Sequence, residues 1–314
     1  MSELVRNFTE LSKKDVGLAG GKGASLGEMT KAGIAIPPGF VVLSASFEQF
    51  LHETDLHAEI DACLATVDHH DINSVEGASV KIRALILNVD FPSDIAKMVM
   101  EHFATLNAEF VAVRSSATAE DSSTASWAGE LESYLNTTEK DLLATIKKCW
   151  SSLFTPRAIF YRFEQELHTT KVSVAVVVQK MVQSEISGIC FTVHPVTEDH
   201  NQMVIEAGYG LGEAIVGGMI TPDTYVVHKT SSEILDAYIS QQEMKITKHN
   251  GNTQEVAVAL ELQEKQKLSN QKILELAELC LNIEKHYGFP CDIEWALEDS
   301  KLYITQSRPI TTLS

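Results

Sequence analysis

Residues 111–132 read VAVRSSATAEDSSTASWAGELE, and the fold turns on what this stretch can be. Val111-Ala112-Val113 is a short apolar strand. It delivers Arg114 into a run of small hydroxyl residues: Ser115, Ser116, Thr118, Ser122, Ser123, Thr124 and Ser126. The run closes on Trp127-Ala128-Gly129. A strand that ends in a cation and a small-residue loop suits phosphate. The backbone can approach closely, N–H groups and hydroxyls donate, and the guanidinium fork matches phosphate oxygens. A solvated Ser/Thr-rich loop has the same composition, so the two readings must be separated by the rest of the chain.

The 314 residues are 44% hydrophobic and 22% charged, an ordinary globular composition with room for one large domain or two lobes. A formal net charge of −18 argues against nucleic acid or an anionic membrane as the main partner. In so acidic a chain, a Lys or Arg set among glycines or serines carries extra weight. The five cysteines, Cys63, Cys149, Cys190, Cys280 and Cys291, are scattered and form no C-x-x-C pair, which favours reduced thiols over disulfides or zinc. The N-terminus lacks an apolar signal core, and the apolar run Val174 to Val178, which no other exceeds, is too short to cross a bilayer. A soluble, cytoplasmic protein is expected.

Upstream, Gly20-Gly21-Lys22-Gly23 reads as a flexible turn, followed by a helix with Ala24, Leu26, Met29 and Ala32 on one side and Gly33 at its end. It is not a Walker A loop. A lysine on a glycine turn at a helix N-terminus nonetheless suits an anion, because the dipole and the free N–H groups add to its charge; the alternative is a surface lysine. Residues 40–43 form a strand, and helical spacing covers 45–51, 58–66, 75–88 and 92–106. His69-His70 lies in a polar connector with no third metal ligand nearby. A helical region is expected over 139–166, with a break at Pro156.

The β-branched run 172–182 is a buried strand. At its end, Lys180-Met181-Val182 can offer backbone groups to an adenine ring while Met181 packs on the ring face, or it is simply a strand leaving the core. Strands follow at 188–192, 203–207, 225–228, 234–239 and 255–260. Gly208 to Glu213 contains G-x-G-x-G without the full dinucleotide fingerprint. A helix capped by Ser269 runs to His286.

Near the end, Asp292 to Leu297 alternates, with two carboxylates on one face and Ile293, Trp295 and Leu297 on the other. The chain returns at Leu302 to Gln306. A four-residue loop would set Gln306 opposite Ile293 and separate it from Glu294. A three-residue loop, Asp299 to Lys301, would set Glu294 opposite Gln306 on one face. There a carboxylate and an amide oxygen can share one hard cation; Mg²⁺ takes one or two protein oxygens and completes its shell from water and phosphate. An exposed polar hairpin face is the other reading.

Taken in order, Gly20-Gly21-Lys22-Gly23, Arg114-Ser115-Ser116-Ala117-Thr118-Ala119-Glu120-Asp121, Gln179-Lys180-Met181-Val182, Gly210-Leu211-Gly212-Glu213, Glu294-Trp295 and Gln306-Ser307-Arg308-Pro309 resemble the N-terminal nucleotide-binding domain of the phosphoenolpyruvate synthase and pyruvate phosphate dikinase family, with rifamycin phosphotransferase a near relative. The resemblance covers essentially the whole chain. It implies an α+β, two-lobed ATP-grasp fold with ATP between the lobes, residues 1–183 forming one and 184–314 the other. It implies that Lys22, Arg114 and Arg308 act on ATP phosphates. Ser115, Thr118, Gly129, Glu130 and Ser133 would line the phosphate loop, Lys180, Met181 and Val182 would receive adenine, and Glu294 and Gln306 would bind Mg²⁺. Glu130 departs from the family loop, which often has Gln there.

In that family the domain passes the β,γ-diphosphate of ATP to a histidine in a Thr-Ser-His context, and hydrolysis leaves phosphohistidine, AMP and phosphate. None of the 11 histidines here follows Thr-Ser. The resemblance therefore implies a phosphohistidine-domain protein and a substrate domain in trans, or a piece of a longer chain. A non-catalytic ATP-responsive module and a standalone ATP-grasp ligase are the alternatives.

Overall fold

The computed structural model describes residues 3–118, 132–165, 173–249 and 252–311. The chain divides into two compact units. The first comprises Met1–Lys31 and Pro38–Met181; the second comprises Ala32–Pro37 and Val182–Ser314. Each is α+β.

The first unit contains β1 (Val5–Asn7), α1 (Val16–Lys31), β2 (Gly39–Val42), α2 (Ser44–Glu53), α3 (Leu56–Ala65), α4 (Ile72–Asn88), α5 (Ser93–Leu106), β3 (Val111–Ala117), β4 (Ser133–Thr137), α6 (Leu142–Ser151), α7 (Pro156–Glu164) and β5 (Val174–Lys180). Its sheet has the order β1-β2-β5-β3-β4, with every neighbouring pair antiparallel. Strand alternation sorts the side chains by face. Val111, Val113, Val174, Val176 and Val178 join Phe47, Phe50 and Trp150 in one large core with helices α2 to α7. On the other face, Val41 meets α1 where a Cβ on Gly23 would lie 3.1 Å from its Cγ2. The expected helical tract 139–166 is broken at Pro156, which starts a new helix after a short 3₁₀ turn at Ser152–Phe154. Thr155 caps α7 by accepting from the Ala158 N–H, and Pro156 occupies the first turn, where its missing N–H costs nothing. His69 is not merely in a connector: its ring stacks on Phe163 at 4.8 Å and 8°.

The second unit contains β6 (Ile186–Phe191), β7 (Gln202–Tyr209), α8 (Glu213–Val216), β8 (Asp223–His228), β9 (Glu233–Tyr238), β10 (Met244–His249), β11 (Asn252–Ala257), α9 (Asn270–Tyr287), β12 (Cys291–Glu298) and β13 (Lys301–Pro309). Six strands form an antiparallel sheet in the order β13-β12-β6-β7-β8-β9, and β10 with β11 forms a separate hairpin. The sequence reading missed β10, whose MKITKH carries three charged or titratable side chains. Ser269 caps α9 by accepting from the Lys272 N–H, as its spacing predicts. Helix α9 buries Ile273, Leu276, Ala277, Cys280 and Ile283. The Asp223 carboxylate is buried and accepts from the Lys267 ammonium at 2.7 Å, the Lys267 N–H at 2.8 Å, the Ser240 N–H at 3.0 Å and the Tyr225 hydroxyl at 2.7 Å. That network ties the segment before α9 to β8.

Candidate functional site

Helix α1 is interrupted at Gly20, whose φ of 68° and ψ of 174° lie outside helical space. The glycine turn is thus embedded in a helical span, and Gly21 starts a second segment with Lys22 in its first turn. Gly20 is required here for two reasons. Its φ is positive, and an added Cβ would stand 2.2 Å from Ser116 Oγ and 2.4 Å from Ser116 O. The Gly23 N–H donates to Ser116 Oγ at 3.4 Å. The lysine turn is therefore fastened to β3 two residues from Arg114. Ser116 and Arg114 share a strand face by parity, and Arg114 is half-buried between the buried Val113 and Ser115.

Ser115 faces the other way. Its hydroxyl contacts Glu132 O at 3.0 Å, Cys149 O at 3.2 Å and Ser152 Oγ at 2.9 Å, and its N–H donates to Glu132 O. This hydroxyl supports the strand and is turned away from the Arg114 face. Thr118 bonds Ser173 O through both N–H and hydroxyl. Ser133 pairs directly with Arg114 across β3 and β4. Gly129 and Glu130 lie outside the described residues. Cys149, fully buried below this site, has its thiol pushed up to about 12 by desolvation, with the Ser115 hydrogen bond and the Lys22 charge opposing the shift.

Lys180 is exposed at the end of β5, and the units part after Met181. The N–H groups of Lys180 and Met181 donate to Pro38 O at 2.8 Å and Phe110 O at 3.0 Å, so both are engaged within the first unit. Val182 is buried.

In the second unit Glu294 stands opposite Gln306, by a route that neither predicted loop allowed. The turn has two residues, Asp299 and Ser300, at φ 49° and 62°, and Glu298 pairs with Lys301. The register then shifts by one residue between Glu294 and Trp295, with Thr305 the extra residue, and this bulge brings Gln306 level with Glu294. The next pair on that face is Asp292 with Arg308. The guanidinium donates from Nε at 2.8 Å and from Nη2 at 2.7 Å to Asp292 Oδ2. Sequence reasoning noted both carboxylates yet gave Asp292 no role; strand parity with Arg308 was the signal available.

The same row continues through Ile189 to Glu206 on β7. Burial, and then the Asp292 charge, raise the Glu206 carboxyl above its usual range. Among the described residues no group of three or more His, Cys, Asp or Glu is arranged to hold a metal. The register sets one carboxylate and one carboxamide level on neighbouring strands; two such oxygens would suit a hard cation that keeps its other positions for water and phosphate.

These features have a family. Residues 16–314 match the pyruvate phosphate dikinase, AMP/ATP-binding domain, and the chain belongs to that family. It is 48% identical over 97% of its length to a probable phosphoenolpyruvate synthase of Methanocaldococcus jannaschii, of which it covers 26%. It is 43% identical over its whole length to a probable phosphoenolpyruvate synthase of Methanothermobacter thermautotrophicus, covering 47% of that protein. Rifampicin phosphotransferase of Bacillus subtilis is 40% identical over the whole chain, which covers 36% of it. The chain thus spans from about a quarter to a half of these relatives. Among the described residues no helix is long and apolar enough to cross a membrane.

Proposed function

We propose that the chain is the Mg-ATP-handling part of a dikinase-type phosphotransferase with an ATP-grasp fold. The observation that carries this reading is the alignment of Glu294 with Gln306 next to the Asp292–Arg308 pair on one sheet face. Glu294 and Gln306 would hold Mg²⁺, which when bound neutralises phosphate charge and orients the polyphosphate. Lys22, at a helix N-terminus, and Arg114, on the neighbouring strand, would bind phosphate oxygens, with Thr118 just past the end of that strand, Ser133 opposite Arg114 on β4, and Gly129 and Glu130 assigned to the phosphate loop by the family resemblance alone. Arg308 is oriented by Asp292 so that part of its donor fork is fixed before phosphate arrives. Lys180, Met181 and Val182 receive the adenine. These residues work by positioning and charge compensation, which is most of what phosphoryl transfer asks of a protein.

The acceptor is a histidine nitrogen on a separate protein or a further domain. It attacks the β-phosphorus, the bond from the bridging oxygen to that phosphorus breaks, and AMP leaves. Water then releases the terminal group as phosphate, which leaves phosphohistidine for a substrate domain to use. The test is to incubate the chain with Mg-ATP and the family's histidine-bearing domain supplied as a separate polypeptide, and to separate the nucleotides. AMP together with acid-labile phosphate on that domain is the expected result. ADP as the sole product would overturn the dikinase reading and favour a ligase.

A further inference from the structure

The segment just after Val182, residues 183–187, is clamped by two other parts of the second unit. One is the end of β12. The Gln183 N–H donates to the Glu298 carboxylate, 2.9 Å from Oε1. The Glu185 N–H donates to Leu297 O at 2.9 Å, and the Asp299 N–H donates to Glu185 Oε1 at 3.3 Å. The other is the turn Gly208 to Gly212. The Ser184 and Ser187 hydroxyls donate to Gly210 O at 2.9 Å and 2.7 Å, and the Gly210 N–H donates to Glu185 O at 2.9 Å. Gly210 has a φ of 90°, and an added Cβ would stand 2.3 Å from Ile246 O, so this turn requires glycine there.

We propose that Glu298 is a positioning residue for the base of the nucleotide, acting through the main chain at Val182–Gln183. The inference rests on the reading that Lys180, Met181 and Val182 receive adenine. The Val182 C=O and the Gln183 N–H belong to one planar trans peptide, so the carboxylate that holds the N–H also sets the direction of the C=O, which points the opposite way. Main-chain groups recognise a base only while they are held in place, and a displacement of about 1 Å is enough to spoil the geometry. A carboxylate accepting from a main-chain N–H is a charge-assisted bond, stronger than a neutral one. Glu298 also shares a strand and, by parity, a face with Glu294, the proposed cation ligand. The four residues between them span about 13 Å. That strand is hydrogen-bonded on both sides, by β13 and by β6. One braced strand therefore holds both the segment assigned to the base and the carboxylate assigned to the cation.

The test is calorimetric binding of Mg-ATP, Mg-GTP and magnesium tripolyphosphate to the full chain. The variants are Glu298→Ala, Glu298→Asp and Glu298→Gln, with circular dichroism and urea unfolding to establish folding. Tripolyphosphate carries no base and reports the phosphate and cation groups alone. Glu298→Ala should weaken Mg-ATP binding roughly tenfold and narrow the preference for ATP over GTP, while tripolyphosphate binding changes by less than about twofold. Glu298→Gln keeps an oxygen that accepts the same N–H and should recover most of the loss. Glu298→Asp keeps the charge but withdraws it by one methylene, and should resemble Glu298→Ala; it makes the same comparison if Glu298→Ala does not fold. Wild-type ATP affinity in the folded Ala and Asp variants, or an equal loss for ATP and tripolyphosphate, would overturn the positioning role alone. A wild-type chain that binds tripolyphosphate as tightly as ATP would overturn the adenine reading and this inference with it.

Discussion

Glu294 faces Gln306 because Thr305 is extra: a single bulged residue converts a register that would separate the two into one that aligns them. The turn beside it, Asp299-Ser300, needs positive φ at both positions, a demand that Asn-Gly signals far more plainly than Asp-Ser. That is why the loop length was misread while the pairing it was meant to explain is present.

Asp292 orients Arg308 through two hydrogen bonds to one oxygen. Asp292→Asn should leave the fold intact and lower the rate of AMP formation by roughly tenfold or more, because the fork loses its charged partner. Steady-state kinetics of the chain with the family's histidine-bearing domain supplied separately, as in the test proposed above, measures this. An unchanged rate would remove Asp292 from the account.

Lys22→Ala and Arg114→Ala should each abolish AMP formation while the circular dichroism spectrum and the unfolding midpoint stay near wild type. Undiminished turnover in either variant would defeat the assignment of phosphate binding to that residue.

Gly20→Ala forces a Cβ against Ser116 and a positive φ on an L side chain. Destabilisation of about 1–3 kcal/mol is expected from urea unfolding. Mg-ATP affinity should fall further than stability alone explains, since the same turn carries Lys22. An Ala variant as stable as wild type would mean that the turn does not press on Ser116.

Cys149 supplies a pH dependence. Its folded thiol, pushed up to about 12 by burial, lies above the unfolded value. The stability it contributes is therefore fully present below the ordinary thiol pKa and is lost as pH rises toward the folded one. Unfolding midpoints taken at pH 7.5 and at pH 10.5 should fall between the two conditions in wild type, and fall less in Cys149→Ala. An equal fall in both would assign the loss to other groups.

In the second unit, Lys267→Ala should cost about 3–5 kcal/mol, because it leaves the Asp223 carboxylate buried without its cation. Urea unfolding monitors this, and a cost under about 1 kcal/mol would mean that the other three donors to Asp223 suffice.

Much of the α+β fold could be read directly because helix spacing, caps and β-branched runs are local. The Ser269 cap, the helices over 45–106 and the alternation of Asp292 to Leu297 follow from side chains a few residues apart. What escaped is non-local. Strand β4 and the charged β10 take their strand character from partners, and the inward turn of Ser115 depends on Cys149 and Ser152, which lie 34 and 37 residues further along the chain. An ion pair of Arg83 with Glu132 spans 49 residues and has no motif. Lys22, Arg114, Glu294, Gln306 and Arg308 stood out by residue type, but a surface lysine and an exposed polar hairpin face have the same composition, so the roles proposed for them come from the family resemblance. Asp292 was passed over because a carboxylate beside a metal candidate does not announce that it serves an arginine.

The central claim is that this chain binds ATP through a cation held by Glu294 and Gln306. Thermal unfolding of the full chain with and without Mg-ATP, repeated for Glu294→Ala, tests it most directly. At about 100 times its dissociation constant the ligand adds roughly 2.7 kcal/mol, an upward shift of a few degrees at this size. The expected result is a Mg²⁺-dependent shift in wild type that is lost in a folded Glu294→Ala. No shift in well-folded wild-type chain, or an equal shift in the variant, would contradict it.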